Sequence, residues 1–400
     1  MNALRHRSAV AAAVAAALLV AGCGSNPSGA QSSTNPPVDS STPGGATGSG
    51  ASEVSTSPSS PGASAPSAGP SQASGSSVGP VASGSVTLVT HDSFNPDKKV
   101  LEAFEASSGI KITLLAQGDA GSLVNKLVLT KDNPLGDVVY GIDNTFASRA
   151  ADAGVLQPYT SPLAGNGSDK FALPGDHVLT PIDYGDVCVN VDHKYFADKQ
   201  LTEPKTYEDL AKPEYKNLLV VESPATSSPG LAFLLGTIDH FGDTGWQDYW
   251  KSLQANGVKV TSGWEDAYSV DFSGSTGKGS RPLVVSYASS PPYEVKDGMT
   301  TAPTGALLDT CFRQVEYAGV LTGAKNPAAA QAVVNFLLSP QFQAGLAENM
   351  YVYPVDTGVK LPESWTKYAP VAEHPATMDP AKISANRQQW LADWSDIVEG

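Results

Sequence analysis

Apolar and polar positions fall into three regimes along this chain. Residues 9–20 form an unbroken apolar run, Ala9 to Val20, with Arg5 and Arg7 before it. Residues 24–84 are nearly all Ser, Gly, Pro, Ala and Thr, with no Leu, Ile or aromatic residue and two charges, Asp39 and Glu53. From Val86 onward apolar residues recur with the periods of strands and helices. Val86–Thr90 predicts a strand. Asn95-Pro96 predicts an N-cap with Pro at N1, opening a helix that aligns Val100, Leu101 and Phe104 and stops near Gly109. Ile110–Leu115 predicts a second strand, a helix from about Gly121 carries Leu123, Leu127 and Val128, Asp137–Tyr140 is a third strand, and Asn144–Ala153 is helical up to Gly154. The alternation resumes with strand Asn217–Val221, an apolar helix from Ser228, helix Trp246–Ala255, and strands at Val258–Val260 and Pro282–Tyr287. A strand after Cys311 and helices Pro327–Leu338, Pro340–Asn349 and Ala381–Val398 follow.

This βαβαβ order implies parallel strands with right-handed crossovers. Two such units, with the chain returning to the first, predict an α/β fold of two lobes around a cleft. The first lobe would comprise residues 85–183 and 312–400, the second 184–311. Ligands of open α/β sheets sit beyond the carboxyl ends of the strands. That rule selects His91–Phe94, Gly118–Ser122, Gly141–Asn144, Glu222–Gly230, Ser262–Glu265 and Ser286–Pro291, and with them His91 and Asp143 as candidate contacts. Several precede a helix, whose free N–H groups favour an anion such as phosphate.

The first regime reads as a secretory signal: a basic start, a short apolar run and small residues before a cut. The run is shorter than the roughly 18 apolar residues of a membrane span. Val20-Ala21-Gly22-Cys23 resembles the bacterial lipobox, which implies cleavage after residue 22 and a lipid on Cys23. Two or more acyl chains anchor stably, so the protein is expected on the outer face of the cell membrane. Residues 24–84 cannot bury enough apolar surface to order themselves. They read as a tether, spanning roughly 45 Å root-mean-square as a flexible coil, or as a glycosylated stalk. Without residues 1–22 the chain keeps 23 of its 25 basic residues against 40 acidic ones, a formal charge of −17. That argues against nucleic acid and anionic membrane surfaces as partners; it is compatible with a cationic ligand and equally with acidity serving solubility alone. Of three cysteines, Cys188 and Cys311 remain. Both sit in strand-like contexts, and they read either as a disulfide or as two buried thiols. No CxxC or HxxxH spacing points to metal.

His91-Asp-Ser-Phe94, Asp137–Asn144, Ile182-Asp-Tyr-Gly185, Thr226–Gly230, Gly263–Tyr268, Ser286–Pro291 with Tyr293, and Met350–Pro354 together resemble the thiamine-binding proteins of bacterial ABC importers. Those belong to the two-lobed class II periplasmic binding proteins. The resemblance runs from about Val86 to Glu399. It implies a ligand, thiamine or its mono- or diphosphate, held by Asp119, Ala120, Ser227, Ser228, Trp264, Tyr287, Ala288, Ser289 and Ser290, with Tyr293 as a further ring wall. It also implies permease subunits as partners, a monomeric state, and no cofactor, metal or catalysis. Aromatic faces and a carboxylate suit the fixed thiazolium charge. The flat aminopyrimidine suits stacking, and N–H groups and hydroxyls at helix starts suit the hydroxyethyl end or its phosphate. Two departures stand out: His91 where relatives often have Tyr, and Asp119-Ala120-Gly121 where they tend to read Asp-Gly. Ferric iron, phosphonate and polyamine binding are the alternatives within the fold. The paired tyrosines of ferric-binding relatives are not evident, since Ala288 follows Tyr287. A secreted hydrolase is the alternative from another class; no H-E-x-x-H or P-loop is present, and the G-x-S-x-G match, Gly75–Gly79, lies in the Ser/Gly tract rather than after a strand.

Overall fold

A computed structural model of the chain describes residues 83–175, 177–275 and 278–400. The lipid site expected at Cys23 and the tether expected over 24–84 lie outside these residues, apart from Ser83 and Gly84, and Gly84 already belongs to the first strand.

In chain order the strands and helices begin with β1 (Gly84–Thr90), α1 (Lys98–Ser108), β2 (Ile110–Ala116), α2 (Ala120–Leu129), β3 (Val138–Asp143) and α3 (Ala147–Ala153). Next come β4 (Leu156–Gln157), β5 (Thr180–Asp192), α4 (His193–Lys199), α5 (Tyr207–Leu210), β6 (Leu219–Glu222), α6 (Ser228–Ala255), β7 (Lys259–Thr261) and β8 (Leu283–Tyr287). The remainder is β9 (Thr304–Leu321), α7 (Pro327–Leu337), α8 (Pro340–Asn349), β10 (Tyr353–Pro354), α9 (Glu363–Tyr368) and α10 (Pro380–Val398).

The sheet runs β2-β1-β3-β9-β5-β8-β6-β7, with β10 on β5 and β4 on β9. The two expected parallel units are present: β1 pairs parallel with β2 and β3, and β6 with β7 and β8. Between them stand β5 and β9, of 13 and 18 residues, which run antiparallel to each other; β9 also pairs antiparallel with β3, and β5 with β8. These two strands belong to both halves of the sheet, and their pairing shifts register between Val187 and Val189. Cys188 and Cys311 lie at that shift with their sulfurs 1.99 Å apart in a disulfide.

The strands read as near-continuous apolar runs because both faces are covered. In β3, Val139 joins the core cluster of Leu231, Trp250 and Trp394, while Val138 and Tyr140 join the opposite cluster with Val334 and Leu337. Helix α1 starts two residues later than its sequence suggests. Asp97 is the cap, accepting from Lys99 N at 2.8 Å, because Asn95 spends its amide nitrogen on Met350 Sδ and its side chain on the Asn349 carbonyl. Helix α6 absorbs both predicted helices across a break at Gly242, φ 74°. The Trp250 indole donates to Thr237 Oγ1 across that break at 2.9 Å.

Candidate ligand-binding cleft

The carboxyl ends of β1, β2, β6, β7 and β8 converge on one cleft, as the strand-end rule requires. His91 enters it after β1, and Gly141 in β3 (φ 95°) makes that possible, since any side chain there would collide with the His91 ring. Asp119 and Ala120 open α2, Ser228 and Pro229 open α6, Trp264 and Glu265 follow β7, and Tyr287, Ser290 and Tyr293 follow β8. Gly185 lets the Tyr287 ring lie against β5, where a Cβ would stand 2.9 Å from it. Glu316 of β9 and the end of α8 through Val352 complete the lining.

Asp119 is the junction of three elements. Its Oδ1 accepts from Ala120 N at 2.6 Å and Ser228 N at 3.1 Å, and its Oδ2 from Trp264 N at 3.0 Å. Burial raises its pKa, and the three N–H groups oppose that shift by favouring the charged form. The Trp264 indole donates to Ser286 Oγ at 2.9 Å and stacks on Tyr268, 4.8 Å between centroids and 15° between planes. Ser286 Oγ in turn lies 2.9 Å from Ser290 Oγ. At the mouth Tyr293, 57% exposed, meets the Tyr351 ring edge-on at 4.9 Å. Tyr351 adopts φ 55°, and its carbonyl takes the Ser289 hydroxyl at 2.7 Å. A bulky residue in the left-handed region is a backbone outlier held by its surroundings.

Beneath the cleft lies a buried polar chain. His91 Nε2 is 3.4 Å from Glu316 Oε1, and the Tyr140 hydroxyl sits 2.6 Å from Asp183 Oδ2 and 3.0 Å from Glu316 Oε2. Burial works against the His91 charge, yet Glu316, with Asp119 and Asp92, leaves its pKa above the ordinary value. Burial pushes Glu316 up, but His91 and its hydrogen-bond partners hold it below the usual carboxylate range. Burial and the neighbouring Glu316 drive Asp183 well above that range. Glu222, at the end of β6, is buried with both carboxyl oxygens lacking a hydrogen-bond partner among the described residues; burial, and then Asp119, push its pKa well above the usual carboxylate range.

Eight of the expected contacts line the cleft: His91, Asp119, Ala120, Ser228, Trp264, Tyr287, Ser290 and Tyr293. The other four, Ser227, Ala288, Ser289 and Asp143, are fully buried and are not among the residues lining the cleft. Ser227 caps α6 by accepting from Gly230 N. Ala288 packs on the disulfide with Ala372. Ser289 holds the Tyr351 carbonyl. Asp143 binds the Ser228 hydroxyl, together with Thr145 Oγ1 at 2.8 Å and Phe146 N at 3.0 Å, and burial pushes its pKa up to about 6. The alternation pointed to the strand end but not to which side chain faces inward. Tyr268, Glu265, Glu316 and Tyr351 also line the cleft and were not among the expected contacts. Tyr268, Glu265 and Tyr351 stood within two of the stretches that carried the family resemblance; Glu316, inside a long strand, left no local signal.

Residues 133–373 match the family described as bacterial extracellular solute-binding protein. The chain is 31% identical over 332 residues to the thiamine-binding periplasmic protein of Escherichia coli (strain K12), covering 78% of this chain and 93% of that one. It is 30% identical over 323 residues to the thiamine-binding periplasmic protein of Brucella suis biovar 1 (strain 1330), covering 78% and 92%. Among solved structures, a periplasmic thiamin binding protein superposes with a TM-score of 0.69 at 29% identity, over 79% of this chain and 96% of that one.

Proposed function

The chain belongs to the bacterial extracellular solute-binding proteins, and from that premise we propose that it captures thiamine in this cleft and delivers it to the permease of an ABC importer. The observation that carries the reading is the lining itself. Two aromatic pairs, Trp264 with Tyr268 and Tyr293 with Tyr351, share it with the carboxylates of Asp119, Glu265 and Glu316, and among the described residues no Lys or Arg lines it. A flat, permanently charged cation gains from both: rings by stacking and cation–π attraction, carboxylates by charge. The relatives named for thiamine support the same ligand.

In this account the lobe boundary falls within β5 and β9, with residues 85–183 and 312–400 on one side and 184–311 on the other, and the protein acts as a monomer. It is held at the outer face of the membrane through a lipid on Cys23, a reading supported by the basic, apolar and small-residue order of residues 1–23. Calorimetric titration of the full chain against thiamine, ferric citrate, spermidine and an alkylphosphonate tests the ligand. One saturable site for thiamine alone is expected; saturable binding of ferric citrate or spermidine with no heat from thiamine would overturn the reading.

A further inference from the structure

In the middle of the sheet Glu316 of β9 stands opposite Asp183 of β5 and Asp143 of β3. Asp143 is answered by its own donors, Thr145, Phe146 N and the Ser228 hydroxyl. Glu316 and Asp183 share the Tyr140 hydroxyl, which lies 3.0 Å from the first and 2.6 Å from the second. Two buried carboxylates at one site are not both ionised, and a hydroxyl has one proton to give. The pair is satisfied when protonated Asp183 donates to the Tyr140 oxygen and Tyr140 donates to Glu316. Glu316 is then the charged member, and of the two it alone lines the cleft.

Among the described residues that line the cleft, the basic partner for that charge is His91. Its Nε2 stands 3.4 Å from Glu316 Oε1 and makes no hydrogen bond among the described residues. A buried ion pair held without a hydrogen bond repays little of its desolvation, so this partner is readily exchanged. The other groups around the imidazole are acids and a phenol: Asp92 beside it in the chain, Asp119 at the start of α2, and Tyr140 of β3, whose ring centroid is 5.5 Å away and whose hydroxyl leads on to Asp183. Burial opposes a charge on His91, yet Glu316, Asp119 and Asp92 leave its pKa above the ordinary 6.5.

Resting on the reading of the cleft as a thiamine site, we infer that Glu316 is the counter-ion of the bound thiazolium and that His91 is a stand-in for that cation, so that capture displaces the imidazole proton to solvent. The carboxylate keeps one cation throughout: imidazolium before capture, the fixed charge of the ligand after it. A ligand cation disfavours imidazolium, so the bound protein holds fewer protons than the free one. Affinity therefore rises with pH until His91 is already neutral before capture. His91 acts through Glu316 as a positioning residue that weakens capture in mildly acidic surroundings.

The test is calorimetric titration of the full chain with thiamine in two buffers of different ionisation heat, from about pH 6 to about pH 8.5, the range over which a raised imidazole titrates. The difference in heat between buffers counts the protons released. Release of up to about one proton per thiamine is expected, with affinity rising by up to about tenfold per pH unit and levelling off at the alkaline end. His91→Gln, neutral throughout, should release none and bind with an affinity flat across the range. Glu316→Gln should bind thiamine at least about tenfold more weakly than the native protein. Native protein that binds thiamine without releasing a proton anywhere in this range would overturn the exchange, and needs no variant to show it. So would a release of the same size in His91→Gln, or native affinity in Glu316→Gln; each of these leaves the thiamine site standing. Absence of thiamine binding in the native protein would instead remove the site and this inference with it.

Discussion

Trp264 lines the cleft while its indole rests on Tyr268 and donates to Ser286. A desolvated cation–π contact is worth about 2 kcal/mol, and lost stacking adds to it, so Trp264→Ala should weaken thiamine binding by roughly a hundredfold. Its cost in stability should stay well below the roughly 3–5 kcal/mol expected for truncating a core tryptophan such as Trp250. Affinity and melting temperature measured on both variants separate the roles; a Trp264→Ala protein as unstable as Trp250→Ala, yet binding normally, would contradict this one. Asp143 carries a second prediction. Its carboxyl titrates near 6 in the fold, above the usual 3.8, so the folded state holds the proton more tightly than the unfolded one. Its contribution to stability is therefore greatest below about pH 4 and declines as pH rises to about 6, by on the order of 2 kcal/mol. Denaturation of native and Asp143→Asn proteins across that range should show their stability difference falling by this amount, and a pH-independent difference would refute the assignment.

At the scale of elements, β5 and β9 matter most, since they alone belong to both halves of the sheet and the disulfide closes where their register shifts. With the cysteines at a sequence separation of 123, the chain-entropy model puts the stabilisation at roughly 4–5 kcal/mol as an upper figure. The Cys188→Ser, Cys311→Ser double variant should accordingly melt several degrees lower by calorimetry; an unchanged melting temperature would show the link to be energetically idle. The parallel units were legible because Val86–Thr90, Asp137–Tyr140 and Pro282–Tyr287 are short apolar runs bounded by turn residues. The antiparallel β5 was visible only as a strand-like stretch around Cys188, because its partners β8, β9 and β10 lie far along the chain, from Leu283 onward, and local pattern carries no pairing information. Likewise the cap of α1 moved from Asn95 to Asp97 through contacts with Asn349 and Met350, distant in sequence. The cleft was legible as a set of strand ends. Its depth was not: Ser227, Ser289 and Asp143 are polar residues at the right ends whose hydrogen bonds turn inward.

At the scale of the whole molecule, the proposed anchor and the cleft are separable. If Cys23 carries the lipid, Cys23→Ser should shift the protein from the membrane to the soluble fraction and leave the signal uncut, while thiamine affinity stays the same; unchanged membrane association would contradict the anchor. The central claim is that thiamine sits in this cleft. It is tested most directly by diffraction from crystals grown with thiamine, using the anomalous signal of the thiazolium sulfur. The account predicts one peak inside the cleft, with the thiazolium within about 6 Å of a ring among Trp264, Tyr268, Tyr293 and Tyr351 and beside the carboxylates of Asp119 or Glu316. A thiamine sulfur located anywhere else, or a cleft that stays empty at saturating thiamine, would contradict it.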